Sequence, residues 1–461
     1  MKKINYALLL SSFIYTVVAQ SPTLSIKDAL NKGIANYGTV KAKQNYANAA
    51  KASLQQVKRD YLPNLTLSAQ QDYGTVNGQN GPLYGFGGFG VASSGLPLPA
   101  QNWNAAFGAL YLANINWEFF SFGKISERIK IAKEAVKRDE NDLAQEQFQQ
   151  QVRVAAAYLN LLASQRLVVS QQKNLERAII FKNTTTTRAK NGLIAGVDSS
   201  QANAEVSNAK IALTKAKDFV QEQSSRLAIL IGEPYAEFVL DSAFITKIPK
   251  NIIIPSSNKV IHPTLAYYLS RLNVSEEQTR YFKRLYFPSF SLFGIMQERG
   301  SGFTAAYTQD QTAYTTHYAT GVKPVRGNYL LGVGMNWNLT TIARNSAQVK
   351  SQKFISSAMQ NEYDLANQQI QVQSALAEDK IKNALANYSE APMQVKAASD
   401  AYIQKTTLYK NGLATIVDVT QTLYILNRAE TDRDIAFTNV WQALLIKAAS
   451  TGDLSLFINE F

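Results

Sequence analysis

Two stretches of this 461-residue chain, 117–201 and 337–421, are copies of one design, each running from a strand-ending Trp to a helix-breaking Gly and a little beyond. Asn116-Trp117 matches Asn336-Trp337. Lys190-Asn191-Gly192-Leu193, followed by Val197-Asp198 and Gln201, matches Lys410-Asn411-Gly412-Leu413, Val417-Asp418 and Gln421. Trp to Gly spans 75 residues in both copies, and the offset between them stays at 220. A spacing kept to the residue fixes a length, and it makes one pseudo-symmetric body at least as good a reading as two or three separate domains.

What fills that length is helix. Lys124 to Arg188 contains no Pro or Gly, and apolar residues recur at spacings of four and three: Ile125, Ile129, Ala132 and Val136, then Phe148, Val152, Ala155, Leu159, Leu162 and Val169 after one phase slip. This is heptad-type packing. At 1.5 Å per residue such a helix reaches roughly 98 Å, so it needs neighbours along its whole length. Gly192 stops it, and a return helix over 198–231 runs antiparallel until Gly232-Glu233-Pro234. The second copy predicts a long helix over about 343–409, with Val349, Ser356, Met359, Tyr363, Ala366 and Ile370 on its seam, and a return helix over 416–449. Pro392, which faces Gln172 of the first copy, is expected to kink or loosen the second helix near residue 388.

Upstream of each long helix the period changes from helical to alternating. Leu24 to Arg59 reads as a helical entry segment with Ser25 as its N-terminal signal. After Tyr61-Leu62-Pro63-Asn64, residues Leu65, Leu67 and Ala69 point one way and Thr66, Ser68 and Gln70 the other. A second strand is expected over 107–120. The pattern returns after Tyr286-Phe287-Pro288-Ser289, with a polar loop over about 298–327 and a strand over 329–339. Each copy therefore carries one long-looped hairpin, about 61–120 and about 286–340. Tyr61, Tyr73, Tyr84, Tyr111, Trp117, Tyr286, Tyr329 and Trp337 put aromatics near strand ends, as the interfacial girdles of a membrane barrel require, although a soluble sheet with a packed aromatic core remains open.

Four strands cannot close a barrel whose edges are safe in lipid, so strands that span a membrane force oligomerisation. A trimer would supply 12 strands around a water-filled lumen. Both long helices follow the second strand of a hairpin and leave on the same side, where they would form a tube that conducts. Small and polar residues such as Ala155-Ala156-Ala157, Thr184 to Thr187 and Asn367-Gln368-Gln369 suit a hollow helical barrel, and equally an ordinary solvated coiled coil.

The ends and the charge set the compartment. Met1-Lys2-Lys3 and the apolar run Tyr6 to Val18 predict a secretory signal over 1–19, too short to span a bilayer. There is no cysteine, which excludes a disulfide framework, a thiolate metal site and a Cys nucleophile. The formal charge of +13 falls to about +11 without Lys2 and Lys3. Its basic residues are spread along helices rather than gathered in a recognition motif, so no nucleic-acid partner is expected.

Several further motifs accompany the repeat: Tyr61-Leu62-Pro63-Asn64 and Tyr286-Phe287-Pro288-Ser289 at strand starts, Val154-Ala155-Ala156-Ala157-Tyr158-Leu159, Leu230-Ile231-Gly232-Glu233-Pro234, His262-Pro263-Thr264-Leu265 and the two Gly-Leu turns. In this order and spacing the chain resembles the TolC-like outer-membrane efflux proteins over nearly its whole length. The resemblance implies a mainly α fold with a membrane β-barrel: a homotrimer with a 12-stranded barrel, a 12-helix coiled-coil tunnel and a mixed α/β equatorial belt. It also implies outer-membrane lipid around the barrel, a periplasmic extension, and partnership with a periplasmic adaptor and an inner-membrane transporter. By resemblance, Asn191, Gly192, Leu193, Asn411, Gly412 and Leu413 form the tip where adaptor hairpins dock. Asp198 and Asp418, with Gln201 and Gln421, lie at the periplasmic gate. Gln421 stands where familiar members carry a second acid and Ala414 where they carry a base, which predicts a less acidic constriction without an ionic latch.

The expected divisions are a signal at 1–19, a first repeat at 20–231, an equatorial linker at 232–262, a second repeat at 263–449 and a C-terminal tail at 450–461. No catalytic site, cofactor or metal is expected. Gly85-Phe86-Gly87-Gly88-Phe89-Gly90 lies in a loop with no helix after it, and His262 and His317 are isolated. The alternative is a soluble periplasmic coiled-coil adaptor or scaffold, which accounts for the helices and Gly turns but not for two aromatic-bounded hairpins.

Overall fold

The computed structural model describes residues 23–78, 96–241, 247–249 and 261–460. The expected signal, Tyr84, the Gly85–Gly90 string and much of the linker lie outside the described residues. The elements are α1 (Ile26–Asn36), α2 (Gly38–Arg59), β1 (Asn64–Thr75), β2 (Ala105–Phe120), α3 (Lys124–Lys190), α4 (Gly196–Ile231), α5 (Pro263–Arg284), β3 (Ser289–Ser301), α6 (Tyr318–Val322), β4 (Arg326–Asn336), α7 (Thr341–Lys410), α8 (Ile416–Thr451) and α9 (Ser455–Ile458). Two compact units divide the chain, one of Met1–Ala47, Asp139–Leu269 and Asn361–Phe461 and one of Asn48–Arg138 and Ser270–Gln360. Neither unit is one of the repeats. Each takes equivalent pieces from both copies.

In the first unit the core forms where α3 is most heavily buried, over 154–164, with Asn160 left exposed. Val154, Ala155, Tyr158, Leu159 and Leu161 pack against Ile26 and Leu30 of α1, Leu227 and Ile231 of α4, and Trp441, Leu444 and Leu445 of α8. Burying each large apolar side chain contributes about 1.5–3 kcal/mol. Val169, expected on the seam, is exposed. Tyr158 and Trp441 each carry a polar group into that cluster, and both are satisfied: the Tyr158 hydroxyl donates to the Leu24 carbonyl at 2.9 Å and accepts from the Asp241 amide at 3.1 Å, and Trp441 Nε1 donates to the Lys247 carbonyl at 3.2 Å. For Tyr158, burial pushes the pKa up to about 12.

The entry segment is two helices rather than one. Ser25 caps α1 through the Asp28 amide as expected, but Tyr37 takes extended backbone. The break lies where Asn36 donates to the Ile231 carbonyl and packs under Gly232, whose φ of +67° ends α4. Residues 450–460 are not a tail. Gly452, at φ +76°, turns the chain after α8, and α9 sets Leu454 and Phe457 into the core beside Trp441. α7 runs unbroken through Pro392, which lies on an exposed face where the carbonyl it leaves unbonded can be solvated.

The second unit holds a four-stranded antiparallel sheet in the order β1-β2-β3-β4. Asn64 pairs with Asn116 and Thr75 with Ala105; β2 meets β3 from Gly108–Ser301 to Phe120–Phe290; β3 meets β4 from Ser289–Asn336 to Arg299–Arg326. The two indoles that mark the repeat do the same job. Trp117 Nε1 donates to the Tyr61 carbonyl at 2.8 Å and Trp337 Nε1 to the Tyr286 carbonyl at 3.1 Å, tying each hairpin to the segment that enters it. Neither indole ends its strand: Trp337 lies one residue past the end of β4. Trp117 lies inside β2, because a register shift between Glu118 and Phe120 adds residues beyond it.

The second hairpin departs from expectation at its loop. β3 continues past Glu298 to Ser301, and β4 begins at Arg326 and ends before Trp337. The polar loop is itself built: Phe303 pairs with Tyr314 in an isolated bridge, their rings stack on each other with Tyr307 tilted against both, and α6 lays Gly321 against Phe107, where a Cβ would sit 2.5 Å from the Phe107 carbonyl. Tyr111, expected near a strand end, lies in mid-strand.

Candidate functional site

Two features of this chain are unfinished as they stand, and both bear on function. The first is the sheet. Residues paired across strands share a face, so the register sorts side chains unambiguously. Leu65, Ile115 and Leu331 share one face with Leu67, Ala113, Met296 and Tyr329, and with Trp117, Leu292 and Val333. Thr66 and Asn114, Ser68, Gln297 and Asn328, and Asn64 and Asn116 share the other. Leu65, Leu67, Met296, Tyr329, Leu331 and Val333 are all exposed, so the apolar face is uncovered within one chain. The polar face also carries Leu110, Leu112, Ile295 and Leu330, and Phe293, whose ring lies over Gly332 where a Cβ would run into it.

Both outer strands are open among the described residues, where β1 pairs only with β2 and β4 only with β3, leaving two ladders of unsatisfied backbone groups. No helix among the described residues is long and apolar enough to cross a membrane. A sheet with one apolar face can cross lipid only when its edges are closed, and this one needs further strands to close.

The second feature is the pair of helix reversals. α3 ends at Asn191-Gly192-Leu193 with the Gly192 amide donating to the Ala189 carbonyl and the Leu193 amide to the Arg188 carbonyl. α7 ends identically, Gly412 to Tyr409 and Leu413 to Leu408. This is the Schellman arrangement, with Gly in the left-handed region at φ +69° and +77°. It leaves Leu193 and Leu413 pointing into solvent, 65% and 74% exposed, with Val197 and Val417 also exposed behind them. The reversals lie side by side: Ile194 of one and Ala414 of the other pack on a shared cluster of Phe181, Ala202, Tyr409, Ile416 and Val419.

Beyond the reversals the copies diverge. Thr415 and Asp418 form a capping box: the Asp418 carboxylate accepts from the Thr415 amide and hydroxyl at 3.0 Å each, and Lys405 stands 3.5 Å away. Those backbone and hydroxyl bonds, with Lys405 behind them, hold the Asp418 pKa below the ordinary carboxylate value. Asp198 has no such partner arrangement, because Ala195 occupies the cap position and offers no side-chain acceptor. Gln201 and Gln421 are exposed on the second turns of α4 and α8.

Arg188, Lys405, Tyr409 and Thr415 complete this region and were not singled out from sequence. Thr415-Ile416-Val417-Asp418 has the spacing of a capping box and could have been read. The role of Arg188, which reaches the far end of α7, leaves no local signal.

Residues 29–233 match the family model for outer membrane efflux proteins. No curated protein matches the chain. Among solved structures, the outer-membrane channel OprN matches with a TM-score of 0.72 at 17% identity, over 93% of this chain and 89% of that one. The outer membrane protein VceC of Vibrio cholerae matches at 0.72 and 16% identity, over 93% and 96%. The CmeC outer membrane channel of Campylobacter jejuni matches at 0.73 and 15% identity, over 93% and 85%. Residues 29–233 thus carry the sequence of the outer membrane efflux protein family, and the chain shares the fold of these outer-membrane channels over nearly its whole length.

Proposed function

We propose that three copies of this chain close a 12-stranded barrel in the outer membrane of a Gram-negative bacterium. The chain is then the exit duct of a tripartite efflux or type I secretion system. The observation that carries this reading is the sheet: an exposed apolar face, a polar face behind it and two open edges on one four-stranded piece. Copies joined edge to edge satisfy both ladders, turn the apolar face to lipid and enclose the polar face as a lumen. The fold shared with OprN, VceC and CmeC supports the same assembly.

Conduction is passive in this account, and the energy comes from an inner-membrane transporter reached through a periplasmic adaptor. Asn191-Gly192-Leu193 and Asn411-Gly412-Leu413 are the docking tip, each turn offering an apolar knob held by a rigid Schellman turn. Asp198, Asp418, Gln201 and Gln421 form the gate, where Asp418 is already engaged by its own helix N-terminus and Lys405. The soluble adaptor reading leaves the sheet's apolar face and open edges unexplained.

Fractionation and single-channel recording test the proposal. The expected result is a heat-modifiable trimer in outer-membrane detergent extracts that forms discrete channels in planar bilayers. Exchanging both Leu193 and Leu413 for Ser should abolish export while leaving trimer and conductance intact. Recovery of the protein in the soluble periplasmic fraction, without detergent-stable trimers, would overturn the reading.

A further inference from the structure

Arg166, Ser170 and Lys173 share one face of α3, about two turns from first to last, and Arg433, Asp434 and Phe437 stand across from them on α8. Between the two helices lies a cleft of about 240 Å³, wholly within the first compact unit. Two hydroxyls, those of Ser170 and Thr438, are buried in its wall at 3% and 7% exposure. Val169, which fits the apolar seam by spacing yet is 44% exposed, lines the same cleft as Phe437, whose ring is held edge-on to Tyr388 at 4.6 Å.

The acids of this cleft are already engaged. Arg177 donates to both oxygens of Glu430, and Arg433 donates through Nε and Nη2 to one oxygen of Asp434 at 3.0 and 2.8 Å. The Thr438 hydroxyl donates within its own helix, to the Asp434 carbonyl at 3.1 Å. Arg166, half-buried, and Lys173, exposed, have no hydrogen-bond or ion-pair partner among the described residues. The unused capacity is therefore one-sided: a guanidinium with five N–H donors and an ammonium with three, against the second oxygen of Asp434. A ligand that only accepts completes such a cleft, and a further cation does not.

We propose that the cleft binds an organic anion, a sulfonate or carboxylate carried on an aromatic body. Arg166 and Lys173 hold the acidic head, Arg166 through parallel donors that match two of its oxygens and Lys173 as a point charge. Val169 and Phe437 receive the aromatic body, whose burial against them adds to the affinity. The site lies within one copy, so it does not depend on three copies closing a barrel.

Titration calorimetry on the full-length, detergent-solubilised protein tests this with naphthalene-1-sulfonate as the probe. The unaltered protein should bind it saturably, and should bind 1-naphthol and inorganic sulfate more weakly, since each carries only one half of what the cleft recognises. In the Arg166→Gln/Lys173→Gln protein the Kd should rise at least about tenfold, the loss expected when charge-assisted hydrogen bonds are removed, with the melting temperature unchanged. Lys210→Gln/Lys217→Gln, which removes the same charge from exposed positions of α4, should leave the Kd within about twofold, because exposed charges on another helix are screened. No saturable binding to the unaltered protein, undiminished binding in the cleft variant, or an equal loss in the α4 variant would each overturn the inference. So would 1-naphthol or sulfate binding as tightly as the sulfonate.

Discussion

Arg188, near the end of α3, donates through a single nitrogen, Nη1, to the carbonyls of both Tyr409 at 2.7 Å and Lys410 at 2.6 Å, and its guanidinium lies 5.4 Å from the centre of the Tyr409 ring. One cation therefore caps the C-terminal end of the other long helix, where the helix dipole concentrates negative charge. The two reversals are fastened by a residue of the first, whose carbonyl closes its own turn while its side chain caps the other.

Replacing Arg188 by Met keeps much of the apolar stem and removes this cap. The expected cost is about 1–2 kcal/mol, felt locally. Amides over 405–413 should exchange faster with solvent while those of the 154–162 core keep their protection. Uniform loss of protection along α3 and α7 would mean that Arg188 supports the whole bundle rather than its tip.

The capping box predicts opposite outcomes for equivalent positions. Thr415→Ala should destabilise by about 1 kcal/mol, while Ala195→Thr, which gives the first copy the box that only the second has, should stabilise by a similar amount. Asp418 adds a pH signature. Its folded pKa is depressed, so its contribution is present above the ordinary value of 3.8 and is lost as pH falls through the folded value. Acid melting curves of Thr415→Ala should be shallower than those of the parent below pH 3.8; identical curves would remove the box from the account.

His262 gives a second pH dependence at higher pH. Its Nδ1 accepts from the Thr264 amide at 3.1 Å, which leaves the proton on Nε2 to be donated to the Ala449 carbonyl at 3.0 Å. Burial against Phe148 lowers its pKa from 6.5. A lowered histidine binds fewer protons folded than unfolded, so stability is full above pH 6.5 and declines as pH falls through that value toward the folded one. The parent should melt at lower temperature at pH 5 than at pH 7. His262→Asn, which retains an acceptor at the helix start, should show a smaller difference.

On the polar face, Gly332→Ala would drive a Cβ into the Phe293 ring. Overpacking of this kind costs about 1–3 kcal/mol, and Phe293→Leu in the same chain should recover most of it. The temperature at which detergent-solubilised trimers dissociate reads both effects. No recovery in the double variant would point to the backbone at Gly332 rather than to the ring.

Periodicity made the strands, the unbroken helices and both Gly turns legible, because each depends on residues close in sequence. Leu65-Thr66-Leu67-Ser68 alternates whatever it packs against, and Lys124–Lys190 lacks any helix breaker. What escaped depends on partners far along the chain. The break at Tyr37 follows from Asn36 meeting Ile231, Phe457 is buried because Trp441 stands beside it, and Arg188 acts more than 200 residues away. Val169 fits the seam by spacing yet is exposed. The difference between Asp198 and Asp418 was written in sequence, as Ala195 against Thr415, but it is visible only when the box is looked for three residues upstream of each acid.

The central claim is that β4 of one copy closes on β1 of the next until three copies meet. Because the chain contains no cysteine, thiols can be added without background. A short series pairing Asn328→Cys with Thr66→Cys, Ser68→Cys or Gln70→Cys places one thiol on each open edge. Oxidised in outer membranes and denatured, at least one pair should give covalent dimers and trimers and nothing larger, since β1 and β4 occupy opposite edges within a copy. Monomers alone across the series, or a ladder continuing beyond three, would contradict closure by three copies.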